Sequence, residues 1–212
     1  MVQGRSAADG QAKTVHSLEE DVHEAISEVQ QRQHRLACVA ANLPFGLHEY
    51  LDRPLTYFAL MREPVSRCIS YWHFAYRTRN DSRVWSRFET FDFDLRQILE
   101  KGVALALSND QVRMLSGSPA RYPGEEEFRR ACETIQEHFV LVGAVEYFAA
   151  SIRTIAERLG WARIPDVHEN RGVRTEAAQL SHDADAYFGD ANEWDIRLYE
   201  WLIDRYLPHH LH

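Results

Sequence analysis

A β-strand, a turn and an α-helix are predicted in succession by Leu55-Thr-Tyr-Phe-Ala-Leu-Met-Arg-Glu-Pro-Val-Ser-Arg-Cys-Ile-Ser-Tyr71. The apolar run ends at Arg62, and Pro64 suits the first turn of a helix because no backbone N–H is needed there. A helix that begins at a strand end leaves N–H groups without partners, and such groups attract anions. Arg67 and Ser70 lie on the same predicted helix. The stretch therefore predicts a local anion site that suits a phosphate group.

The rest of the chain alternates short apolar runs with helical stripes, which predicts an α/β fold. Strands are expected at 36–41, 55–61 and 139–143. Strands that are separated by helices usually pair in parallel, with helices covering the sheet. We therefore expect a three-layer fold, a parallel sheet flanked by helices, with the ligand at the carboxyl ends of its strands. Helices are expected at 17–33, from Pro64, at 93–101, at 109–115, from Glu125, at 147–159 and from Asn192, with a loop at 77–83.

Composition limits the kind of protein this is. The net charge of −8 argues against a general nucleic-acid-binding protein, so any anion site is a local pocket. Cys38, Cys68 and Cys132 match neither a metal spacing nor a disulfide framework, and we expect no metal site. No apolar stretch is long enough to predict a membrane span. Residues 1–14 are small and polar and are predicted to be disordered, and residues 15–208 are predicted to form a single domain.

The segment Arg62-Glu-Pro-Val-Ser-Arg67-Cys-Ile-Ser70-Tyr71 resembles the second signature of the PAPS-dependent sulfotransferases, in particular the carbohydrate and heparan-type branch. Further segments are similar in the same order, at 41–46, 109–117, 139–148 and 195–200. The resemblance implies a P-loop NTPase-like sulfotransferase fold and transfer of a sulfuryl group from PAPS to a hydroxyl of a carbohydrate-type acceptor. It also implies that Arg62 and Ser70, with Arg67 beside them, bind the 3′-phosphate of the donor nucleotide.

Two family features differ in this chain. The family begins with a strand and a Lys-Thr-Gly type of loop that holds the 5′-phosphosulfate, whereas Ala12-Lys-Thr-Val-His-Ser-Leu18 lacks the glycine. The fold is therefore expected to be N-terminally incomplete. Many relatives have a Gly-His pair where this chain has Ala41-Asn42, and asparagine cannot act as a base at neutral pH. His48 is the candidate replacement if its loop folds back into the cleft, and the alternative is a surface histidine.

Three interpretations remain open at this stage. The chain is an active sulfotransferase, a catalytically inactive nucleotide- or glycan-binding protein on the same scaffold, or an N-terminally truncated fragment. A fragment that lacks a central strand would expose apolar surface. The expected location follows from the source: cytoplasmic for a bacterial protein, and the Golgi lumen for a truncated eukaryotic relative.

Overall fold

The computed structural model describes residues 13–15, 22–79, 83–162, 180 and 182–211. This part of the chain is mixed α/β and mostly helical, and its strands pair in parallel. The capping box predicted at Ser17–Glu20 lies outside the described residues, as does most of the segment predicted to be disordered. No helix in the described ranges is long and apolar enough to cross a membrane.

The four strands in the described part of the chain form two parallel pairs. Strand β1 (Lys13–Val15) pairs with β2 (Val39–Ala41), and β3 (Tyr57–Met61) pairs with β4 (Phe139–Ala144). The predicted strands at 36–41, 55–61 and 139–143 are thus confirmed with small changes at their ends. Parallel pairing is confirmed too, but the described strands do not join into one continuous sheet between two helical layers. Residues 13–15 form a strand, so this part of the chain is not a phosphate-holding loop.

The helices begin and end close to the predicted positions. Two short helices, α3 and α8, were not predicted, and α3 begins at the end of the predicted loop at 77–83. Helices as short as these two do not form alone in water, so both depend on packing against the rest of the chain. The helices are α1 (Val22–Arg32), α2 (Pro64–Arg77), α3 (Arg83–Glu89), α4 (Leu95–Glu100), α5 (Asp110–Ser116), α6 (Glu125–His138), α7 (Phe148–Arg158), α8 (Ala184–Ala191) and α9 (Glu193–Trp201).

Two clusters of buried apolar side chains form the interior. The first lies between the β3–β4 pair and helices α5, α6, α7 and α9, and it includes Ile135, Leu141 and Leu198. The second lies between helices α2, α3, α4 and α8, and in it Trp72 stacks on Phe88 with ring centroids 4.8 Å apart. Helices α2, α5 and α9 meet between the two clusters. Strand β3 leads directly to this junction, because only Arg62 and Glu63 separate it from α2.

Candidate anion site at the end of strand β3

Arg62 follows the last residue of β3 at the carboxyl end of the β3–β4 pair. Its side chain is partly exposed. Among the residues that the structure describes, its guanidinium forms no ion pair within 4 Å and no hydrogen bond. A partly exposed guanidinium at a strand end, free to bind a ligand, is the chemistry predicted for this position.

The backbone of Arg62 is held by the side chain of Gln111, which lies in the first turn of α5. The Arg62 N–H donates to Gln111 Oε1 at 3.0 Å, and Gln111 Nε2 donates to the Arg62 carbonyl oxygen at 3.0 Å. The next residue is held as well, because the Glu63 N–H donates to Glu146 Oε1 at 3.1 Å. Glu146 in turn accepts a hydrogen bond from the Tyr199 hydroxyl at 2.8 Å. The turn between β3 and α2 is therefore fixed by the side chains of Gln111 and Glu146, and Tyr199 in turn holds Glu146.

The N-terminus of α2 is already capped by a carboxylate of the protein. The Glu63 carboxylate accepts hydrogen bonds from the N–H groups of Val65 at 3.0 Å and Ser66 at 2.7 Å, and the Arg67 N–H donates to the Glu63 carbonyl. Partial burial acts to raise the pKa of Glu63, but these hydrogen bonds and the charge of Arg62 outweigh it and lower the pKa. The expectation of free N–H groups at this helix end is therefore wrong, because Pro64 has no N–H and Glu63 satisfies the next two.

Ser70 lies on the face of α2 opposite the buried Cys68, Trp72 and Ala75. Its hydroxyl makes no side-chain hydrogen bond to another described residue and is partly exposed. At 1.5 Å per residue, Ser70 lies about 10 Å along the helix axis from Glu63. A ligand that contacts both Arg62 and Ser70 therefore lies along the side of α2 and not at its tip.

Arg67 points into the junction between the two apolar clusters. Its guanidinium donates to the Ala106 carbonyl at 2.6 Å and to Asp110 Oδ2 at 3.2 Å, and it lies 4.0 Å from Asp195 Oδ2. Burial by itself would lower the pKa of Arg67, but the charges of Asp110 and Asp195 help to raise it. Protein acceptors thus occupy this guanidinium. Its predicted contact with the nucleotide remains a prediction, and the proposal below does not depend on it.

His48 lies at the other end of strand β3 from Arg62. Its Nδ1 is 3.0 Å from the hydroxyl oxygen of Tyr57, and that oxygen also accepts the His48 N–H at 2.8 Å. Tyr57 begins β3 and Arg62 follows its end, so about 16 Å of strand separates them at roughly 3.3 Å per residue. The structure therefore does not bring His48 to Arg62 and Ser70.

Helices α5 and α9 cap each other, and this arrangement was not predicted. Asn109 Oδ1 accepts the N–H groups of Trp194 at 2.9 Å and Asp195 at 3.1 Å in the first turn of α9. Asp195 accepts the N–H groups of Gln111 at 3.0 Å and Val112 at 2.7 Å in the first turn of α5. The sequence does indicate capping at these positions, because asparagine and aspartate just before or within a helix start are typical capping residues. That each would cap the other helix depends on tertiary contact.

Comparison with known proteins adds no relative. No family model matches the chain, and no curated protein or solved structure matches it either. The functional conclusion therefore depends on the geometry around Arg62 and on the motif resemblance.

Proposed function

We propose that the chain binds the 3′-phosphate of a PAPS-type nucleotide with Arg62 and Ser70, and that it acts as a PAPS-dependent sulfotransferase on a carbohydrate-type hydroxyl. The observation that carries the proposal is the Arg62 guanidinium, which has no ion-pair partner among the described residues although it directly follows the buried Met61 at the end of β3. A guanidinium fork pairs well with the oxygens of a phosphate group. The overall charge of −8 makes an unpaired arginine at a strand end more informative than it would be in a basic protein.

The proposal extends to the fold. In this view β1–β2 and β3–β4 are parts of one parallel sheet in a three-layer, P-loop NTPase-like sulfotransferase fold, and the donor lies along the carboxyl ends of the strands. PAPS supplies an activated sulfuryl group, and the protein orients the donor and balances its charge. Arg62 and Ser70 hold the 3′-phosphate end of the donor, and the acceptor hydroxyl approaches from the open side of the same edge.

Calorimetric titration with 3′-phosphoadenosine 5′-phosphate tests the site. Loss of a charged hydrogen-bonding group costs about 1.5–3 kcal/mol, so Arg62→Ala should weaken binding roughly 10- to 100-fold. Arg129→Ala is a matched control, because Arg129 is exposed on α6 and pairs with Glu133. A folded wild-type chain that does not bind the nucleotide overturns the proposal. Equal affinity in wild type and Arg62→Ala would remove Arg62 from the site.

Nucleotide binding without sulfuryl transfer is the second candidate function. It is favoured by the position of His48, which lies at the far end of β3 and is hydrogen-bonded to Tyr57. Incubation of the purified chain with PAPS carrying radiolabelled sulfate and a panel of oligosaccharides distinguishes the two functions. Label in the oligosaccharide fraction supports the enzyme, whereas nucleotide binding without transfer to any acceptor supports a binding protein.

A further inference from the structure

We propose that Gln111 is a positioning residue for Arg62, which it aims at the bound anion by holding the Arg62 backbone. This inference depends on the proposed function of Arg62. The side chain of Gln111 lies far from Arg62 in sequence, is only 9% exposed, and uses its carboxamide on this one residue. The paired contact resembles one step of a strand ladder, in which the donor and the acceptor of a single residue are both satisfied.

Gln111 pairs with the first residue after the end of β3. The β3–β4 pairing finishes at Met61 opposite Ala144, and Arg62 is the next residue along the chain. Without Gln111, the N–H and carbonyl groups of Arg62 would have no strand partner in the described sheet. The carboxamide therefore supplies the acceptor and the donor that a neighbouring strand would supply, and a backbone paired in this way fixes the direction in which the Arg62 side chain leaves the chain.

Gln111 is itself held in place by Asp195. The Gln111 N–H donates to the carboxylate of Asp195, which is fully buried, and Asp195 is held in turn at the helix start that Asn109 caps. Arg67 lies 4.0 Å from the same carboxylate. Arg67 therefore helps to hold Arg62 in place, through Asp195 and Gln111. A change at Gln111 should alter how Arg62 is presented without removing any group that touches the ligand.

The test compares Gln111→Met with Gln33→Met. Methionine keeps the length of glutamine but removes both hydrogen-bonding groups. Gln33 is the matched control because it is 8% exposed and its carboxamide accepts the Asp52 N–H at 2.9 Å and donates to Asp52 Oδ2 at 3.3 Å. The readout is the ratio of affinities for 3′-phosphoadenosine 5′-phosphate and adenosine 5′-phosphate. This ratio isolates the contribution of the 3′-phosphate, and a loss of global stability alone does not change it.

We expect the ratio to fall at least tenfold in Gln111→Met and to stay unchanged in Gln33→Met. Hydrogen exchange of the Arg62 amide, measured without nucleotide, should also become faster in Gln111→Met only. If Gln111→Met does not fold, Gln111→Glu replaces it: this variant keeps an acceptor for the Arg62 N–H, but it loses the donor to the Arg62 carbonyl and adds a negative charge beside that carbonyl. This variant should also lower the ratio, and a retained ratio would contradict the positioning role.

The measurements distinguish a failure of the proposed function from a failure of the positioning role of Gln111. A wild-type chain with no preference for the 3′-phosphorylated nucleotide overturns the proposed function and the positioning role together. A wild-type preference that Arg62→Ala abolishes and that Gln111→Met and Gln111→Glu retain overturns the positioning role alone. Unchanged exchange of the Arg62 amide in Gln111→Met overturns it as well.

Discussion

Arg62 and Arg67 belong to one short motif, but their guanidinium groups have opposite environments. The Arg67 side chain is 18% exposed and is surrounded by Asp110, Asp195 and the Ala106 carbonyl. Arg62 is partly exposed and has no such partner in the described part of the chain. Burial thus explains why Arg67 is paired within the protein, because a buried cation needs such partners, and Arg62 is the arginine that we propose as the ligand-binding residue.

Truncation of Arg67 should therefore destabilise the fold far more than truncation of Arg62. Arg67→Ala leaves the buried carboxylate of Asp195 without its cation, whereas Asp110 keeps Arg113 at 2.9 Å. Loss of one partner of a buried pair typically costs about 3–5 kcal/mol. Arg62→Ala, which breaks no ion pair to a described residue, should change the free energy of unfolding by about 0.5 kcal/mol or less. Urea unfolding of both variants measures the difference. Similar losses in the two variants would contradict the assignment of Arg67 to the interior.

The three cysteines should differ in reactivity. Cys68 is fully buried, and burial raises the pKa of its thiol to about 11. Burial also raises the pKa of Cys132 to about 12. The pKa of Cys38 is raised as well, but Cys38 is exposed immediately before β2, where a reagent can reach it. Because the thiolate is the reactive form, one thiol should react with Ellman's reagent in the native protein at pH 8, and the other two only after unfolding. Cys38→Ser should abolish the fast phase, and a fast phase that persists would contradict this order.

At the scale of elements, the mutual capping of α5 and α9 fixes the helix that carries Gln111. Asn109 is suited to this role because its φ of 45° lies in the left-handed region, which asparagine tolerates better than most residues. Its Oδ1 meanwhile satisfies two N–H groups at the start of α9. Asn109 therefore both adopts the left-handed turn before α5 and caps the start of α9.

Two substitutions separate these roles of Asn109. Asn109→Ala loses the cap, at about 1 kcal/mol, and adds the cost of a left-handed backbone, at about 1–2 kcal/mol. Asn109→Gly loses the cap but tolerates the backbone conformation. Thermal unfolding should therefore rank wild type above Asn109→Gly and Asn109→Gly above Asn109→Ala. An alanine variant as stable as the glycine variant would contradict the left-handed turn.

The cap of α2 should make stability depend on pH in the acidic range. The pKa of Glu63 is lowered in the folded protein below its ordinary value of 4.5, so its contribution is present above that value. The contribution is lost as the pH falls through the folded pKa. In Glu63→Gln the carboxylate is absent at every pH. Unfolding between pH 7 and pH 3 should therefore show a smaller loss of stability in this variant than in wild type, and parallel curves would contradict the capping role.

At the scale of the whole molecule, two apolar clusters meet at a polar junction. Asn192 is fully buried there, and its side chain donates to the carbonyls of Leu107 and Phe188 at 2.8 Å each. Its Oδ1 accepts the Asn109 N–H at 2.9 Å. Because Asn192 has partners on several elements, separation of the two clusters would leave its side chain and the carbonyls that it binds unsatisfied.

The two clusters are therefore expected to unfold together. Ile135→Ala removes apolar contacts in the first cluster and Phe188→Ala in the second, each at about 2–5 kcal/mol. Each variant should shift a single transition that tryptophan fluorescence and circular dichroism report at the same denaturant concentration. Two separate transitions in either variant would contradict a cooperative junction.

The local pattern of the sequence determined most elements and the order β3, Arg62, α2, because apolar runs, helical periodicity and Pro64 act over a few neighbouring residues. It did not determine α3, whose burial of Trp85 and Phe88 depends on contact with Trp72. Tertiary structure alone decided which arginine of the motif turns inward and at which end of β3 His48 lies. It also brought Gln111 to the Arg62 backbone. These outcomes depend on burial, charge pairing and hydrogen bonds between residues far apart in the chain, and no local pattern encodes such distances.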